Sequence, residues 1–111
     1  MDNKFSPVSD ASALERLFER SNAEPVLLFK HSNSCPISAR AYRQMQEVKA
    51  PVAIIVVQDD RDLSRDVATR TGVRHETPQA LVLRNGRAVW AASHFDISAD
   101  AVEQAVRENA S

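Results

Sequence analysis

Apolar positions along this chain alternate between a three-to-four-residue rhythm and nearly continuous runs, and each change of rhythm marks an element. Leu14, Leu17 and Phe18 stand at i, i+3 and i+4 and predict a first helix over residues 9–21. Ser9, Asp10 and Ser12 compete as its cap, and Ser12 with Glu15 has capping-box spacing. Pro25 breaks that pattern, and residues 26–31 read as a buried strand. A second helix starts after Cys35, with Pro36 at the first helical position, where a missing N–H costs nothing. Ala41, Tyr42, Met45 and Val48 carry its buried stripe, and Pro51 closes the segment. The β-branched run at 52–57 has the character of a parallel strand covered on both faces. Asp59, Asp60 and Asp62 offer caps for a third helix packed through Leu63, Val67 and Ala68, and Gly72 stands where a left-handed residue ends it.

Two further apolar runs, at 80–84 and 87–92, flank Asn85-Gly86, a strong hairpin signal. A two-residue turn sets Leu83 opposite Ala88 and Leu81 opposite Trp90. The last helix begins at Ser98, with Ile97 and Val102 at the two ends of a hydrophobic staple and Val102, Ala105 and Val106 as its buried face. Residues 1–8 read as an irregular N-terminal arm. The predicted order is α-β-α-β-α-β-β-α, an α/β fold. Its first two strands are parallel with a right-handed crossover, and its last two are an antiparallel hairpin. The expected product is a four-stranded mixed sheet with helices on both faces, in one domain spanning residues 1–111.

Bulk composition narrows the function. A formal net charge of −1 with no basic patch argues against nucleic acid. The apolar runs are too short to span a membrane, and the N-terminus lacks the apolar core of a signal peptide. A single cysteine suits a reducing cytoplasm and excludes an intrachain disulfide. Three scattered histidines and one cysteine match no zinc spacing, so neither a metal nor a resident cofactor is expected.

Chemistry concentrates at Cys35. A thiol where a strand runs into a helix start meets unpaired N–H groups and the positive end of the helix dipole. That setting favours the nucleophilic thiolate. Its neighbours are Asn33, Ser34 and Ser38 rather than aliphatics, although a free cysteine is by itself more often a small buried hydrophobe. Ser38, one helical turn on, can donate to the sulfur or bond its own backbone. Cys35-Pro36-Ile37-Ser38 is a Cys-x-x-Cys pattern with oxygen in place of the second sulfur. A serine cannot resolve a mixed disulfide, so an outside thiol must do so. Thr77-Pro78, just before the third predicted strand, falls opposite the second helix's N-terminus. A cis bond there frees the Thr77 backbone to pair with an extended ligand. His31, Arg74 and His75 lie at strand or loop ends on the side of Cys35, where a cation favours the thiolate and holds a carboxylate. Arg40 and Arg43 read as a solvated face, and His94 as a loop residue.

These segments resemble the thioredoxin superfamily and, within it, the monothiol bacilliredoxins. The family's Thr-Cys-Pro-Ile-Ser signature is matched by Ser34-Cys35-Pro36-Ile37-Ser38. Its His-Glu-Ser-Pro-Gln segment is matched by His75-Glu76-Thr77-Pro78-Gln79, with further likeness at Val89-Trp90 and Ser93-His94. Ser34 and Thr77 are hydroxyl-for-hydroxyl departures. The resemblance implies a thioredoxin-like fold and a monothiol oxidoreductase that removes bacillithiol, a cysteine-glucosamine-malate thiol, from mixed disulfides on client proteins. Cys35 and Ser38 are the implied catalytic residues. Ser34, Pro36, Arg74, His75, Thr77 and Pro78 are the implied substrate-binding ones. Bacillithiol is a co-substrate, the partners are S-bacillithiolated clients, and the chain is expected to act as a monomer or weak homodimer. Two alternatives stay open: an iron–sulfur carrier, in which two chains and two outside thiols supply four sulfurs, and a redox-inactive binding adaptor.

Overall fold

Strands with apolar side chains on both faces need a layer on each side, and three such runs occupy the middle of the sheet. The computed structural model describes residues 4–110. Its elements are β1 (Phe5–Pro7), α1 (Ala11–Arg20), β2 (Val26–His31), α2 (Pro36–Glu47), β3 (Val52–Val56), α3 (Arg61–Thr71), β4 (Gln79–Arg84), β5 (Arg87–Ser93) and α4 (Ala99–Glu108), with a 3-10 turn at His94–Asp96. The sheet order is β1-β3-β2-β4-β5. β2 and β3 pair in parallel, and β4 pairs antiparallel with both β2 and β5. Alternate residues of β2 feed two separate cores. Val26 and Leu28 pack with Leu14, Phe18 and Val67 of α1 and α3. Leu27 and Phe29 pack with Ala41, Met45 and Val102 of α2 and α4. No helix among the described residues is long and apolar enough to cross a membrane.

The sheet has five strands, not four. Residues 5–7, expected within an irregular arm, lie parallel to β3, from Phe5 opposite Val52 to Pro7 opposite Ile54. The Val52 N–H donates to the Lys4 carbonyl at 3.0 Å and the Val8 N–H to the Ile54 carbonyl at 2.9 Å. Pro7 is tolerated because β1 is an outer strand. Three residues that include a proline carry no readable period, so the strand exists only through its partner. Residues 1–3 of the expected arm lie outside the described residues.

Local signals place most boundaries. Asp10 is the cap of α1, its side chain accepting from the Ala13 N–H at 2.7 Å. Gly72 ends α3 at φ 73°. The Ser98 hydroxyl caps α4, and Ile97 and Val102 are both fully buried beside it. Asn85 and Gly86 both take positive φ, 57° and 76°, as a type I′ turn requires. The hairpin departs from its expected register beyond Leu83–Ala88. Val89 is left over, Trp90 lies opposite Val82, and Leu81 faces Ala91. This bulge turns Trp90 onto the α2/α4 face, so the expected Leu81–Trp90 pair does not form.

Candidate active site

The short loop that leads from β2 into α2 delivers Cys35 to the helix mouth. It is the N-cap of α2, with extended backbone, and Pro36 follows at the first helical position. The Cys35 carbonyl accepts the first helical bond, from the Ala39 N–H at 3.0 Å, while its side chain makes no capping bond. The thiol is half-buried. Pro36 and Ser34 beside it are exposed.

Ser38 is fully buried, and its hydroxyl is occupied away from the helix start. It accepts from the Ser32 N–H at 2.9 Å and pairs with His31 Nδ1 at 2.8 Å. Of the two readings open for this hydroxyl, the observed bonds are those of a clamp on the loop that carries Cys35. The His31 ring stacks 5.5 Å from Phe29 and lies tilted 5.0 Å from Tyr42. Burial there pushes its pKa below the usual histidine value. Gln58, at the end of β3, holds the same loop from the other side. Its Nε2 donates to Ser32 Oγ at 2.8 Å and Ser34 Oγ at 3.0 Å, and its Oε1 accepts from the Asn33 N–H at 3.2 Å.

Across the loop, the Thr77–Pro78 peptide bond is cis. Pro78 is buried, Thr77 is half-buried, and the Pro78 carbonyl accepts from the His94 N–H at 3.0 Å. Arg74 is exposed, and its carbonyl accepts from Gln79 Nε2 at 2.9 Å. The cations expected on one side are therefore divided by the sheet: His31 points to the α2 side, and His75 meets Lys30, which lies on the α1/α3 side.

Lys30 is the residue that sequence reasoning missed. It is fully buried, and desolvation pushes its pKa down to about 8. Its Nζ lies 3.1 Å from His75 Nδ1. A protonated lysine has only donors, so at neutral pH His75 Nδ1 must accept and Nε2 carries the ring proton. That nitrogen lies 3.4 Å from Thr77 Oγ1, beside the cis bond. Desolvation, Lys30 and Arg65 together keep the His75 pKa below its ordinary value. Gln79 faces Lys30 across the ladder, and its buried Oε1 has no hydrogen-bond partner among the described residues. The signal was present: Lys30 falls inside the run 26–31 that reads as a buried strand.

Known proteins share this fold. A solved structure described as a candidate oxidoreductase with a thioredoxin fold is 36% identical, with a TM-score of 0.83 over 91% of this chain and 92% of its own. A mutant thioredoxin from Halobacterium salinarum NRC-1 superposes with a TM-score of 0.74 at 18% identity, over 96% of this chain and 91% of its own. Fasciola hepatica thioredoxin does so with 0.73 at 10% identity, over 94% and 98%. These two show the fold alone, and that fold is the thioredoxin fold. The family described as monothiol bacilliredoxin BrxC matches residues 6–102. With one sulfur at the helix mouth, a buried serine oxygen one turn on, and a match over most of its length, the chain belongs to the monothiol bacilliredoxin family of thioredoxin-fold thiol oxidoreductases.

Proposed function

We propose that this protein strips bacillithiol from mixed disulfides on client proteins in the cytoplasm, with Cys35 as the nucleophile. The Cys35 thiolate attacks the bacillithiol sulfur of the client disulfide. The client leaves as a free thiolate, and Cys35 holds bacillithiol as a new disulfide. A second bacillithiol thiolate then attacks the bound bacillithiol sulfur, returning Cys35 as a thiolate and releasing bacillithiol disulfide. The observation that carries this reading is the oxygen of Ser38 where a resolving sulfur would stand, with that oxygen already engaged by Ser32 and His31. The uncapped N–H groups at the start of α2 face the sulfur's end of the helix and favour its charge. The Thr77 backbone takes the extended client or thiol chain beside cis-Pro78. Neither its N–H nor its C=O is used by another main-chain group among the described residues.

Mass spectrometry after incubation with a bacillithiolated peptide, and separately with a glutathionylated one, tests the reading. The expected result is a gain on Cys35 equal to bacillithiol, little gain from glutathione, and loss of all transfer in Cys35→Ala. Transfer of glutathione alone would replace the thiol in this reading. No gain on Cys35, with partner binding intact in Cys35→Ala, would return the protein to a binding adaptor.

A further inference from the structure

A cleft of about 430 Å³ opens beside the loop that carries Cys35, within the roughly 300–1,000 Å³ of small-molecule sites. Ser32, Ser34, Gln58, Arg61, Arg65 and His75 contribute to its walls. Ser34 directly precedes Cys35 in the chain, so the cleft starts one residue from the reactive sulfur. We propose that this cleft seats the acidic end of the small thiol that Cys35 exchanges, a short dicarboxylate unit gripped by Arg61 and Arg65. The inference rests on the bacillithiol reading and deepens it by placing the end of that molecule remote from sulfur.

Three observations converge. Arg61 and Arg65 are four residues apart on α3 and share one face of the helix. Two guanidinium forks spaced by one turn suit two carboxylates on one short unit, because each fork pairs with a carboxylate through parallel N–H bonds. Positive charge in the cleft is also only partly compensated. Among the described residues the one carboxylate within ion-pair distance of these cations is the exposed Asp62, 3.4 Å from Arg65. Lys30, buried and without an acidic partner among those residues, stands 3.1 Å behind His75 of the cleft wall and adds its positive charge from beneath the surface. A recess lined by one sign of charge concentrates anions. The wall nearest the sulfur is also fixed in advance, since Gln58 holds both serine hydroxyls. A ligand therefore meets a formed surface rather than a loop it must order.

The test compares wild type with the double variant Arg61→Gln/Arg65→Gln, both at exposed positions. The substrates are peptides carrying bacillithiol or the same thiol as its malate dimethyl ester. The double variant is expected to lose about tenfold in kcat/KM on the bacillithiolated peptide, the scale of one charge-assisted contact. Its rate should also become less sensitive to salt. On the dimethyl ester the two proteins should exchange at the same rate. Separately, titrating isotope-labelled wild type with L-malate alone should shift the amides of Ser34, Arg61, Arg65 and His75. Equal loss on both substrates, no loss on either, or no shift with malate overturns the proposal. A loss that follows the acidity of the peptide instead of the thiol would assign the cleft to client side chains and overturn it too. If malate shifts these amides while wild type exchanges with no small-thiol disulfide, the thiol-transfer reading falls. The cleft then remains an anion site but not a substrate seat.

Discussion

The Ser38 hydroxyl has one proton and two neighbours, the Ser32 N–H and His31 Nδ1. The Ser32 N–H can only donate, so the serine oxygen accepts there. Its own proton goes to His31 when Nδ1 is bare. When Nδ1 carries the proton the ring donates instead, and the serine proton is free to turn back along the helix toward Cys35. One oxygen thus joins the shape of the Cys35 loop to the state of a desolvated histidine. Ser38→Ala is expected to slow exchange several-fold and to cost about 1–2 kcal/mol of stability, because the Ser32 N–H loses its partner in a part-buried site. Stopped-flow exchange across pH, with urea denaturation beside it, checks both effects. Unchanged exchange at every pH with stability alone reduced would confine the hydroxyl to holding the loop.

Elements are joined at the far end of the sheet by another serine. Ser21, just past α1, is fully buried and meets the β4–β5 turn. Its hydroxyl accepts from the Gly86 N–H at 2.9 Å, and its carbonyl accepts from the Asn85 N–H at 2.7 Å and Arg84 Nη1 at 2.9 Å. Arg84 Nε also donates to the Asn109 carbonyl at 3.1 Å, tying in the end of α4. Ser21→Ala should lower stability by about 1–2 kcal/mol by stranding the Gly86 N–H. Exchange by the folded protein should not change, since the hairpin tip pairs with the Val26 end of β2 and Cys35 follows the His31 end. Urea denaturation and the peptide exchange assay measure the two. The turn itself was legible, because Asn-Gly needs no distant partner to adopt positive φ. The same holds for Gly72 and for the staple of Ile97 and Val102. β1 and the bulge at Val89 were not legible, because each is created by the strand across from it.

At the scale of the whole molecule, Lys30 sets a pH dependence of stability. Its folded pKa is about 8, and an unfolded lysine titrates near about 10.4. Between these values the unfolded chain still binds the proton that the folded chain has released. Stability therefore rises with pH through this window, by up to about 3 kcal/mol from this group. Below the window the burial penalty is fully present. Lys30→Met, uncharged and similar in volume, should be more stable than wild type at pH 7, and the advantage should shrink toward pH 10. Denaturant titrations of both proteins at the two pH values measure the difference. An equal gap at both would remove Lys30 as its cause. The candidate site divides in the same way as the fold. Cys35-Pro36 and Thr77-Pro78 could be read locally, since a helix start and a strand start position them. Gln58, Arg61 and Arg65 could not, because only the turn from β3 into α3 brings them to the Cys35 loop; the burial of Lys30 could be read from its strand, but its pairing with His75 could not.

The sheet's two outer borders carry one more consequence. β1 is three residues long and ends in a proline that has no hydrogen to offer, and the ladder of β5 is interrupted at Val89. A second copy approaching either border finds no long uninterrupted row of main-chain donors and acceptors to extend. The irregularities that hid these strands from simple pattern reading are the same ones that discourage the protein from stacking edge to edge at high concentration.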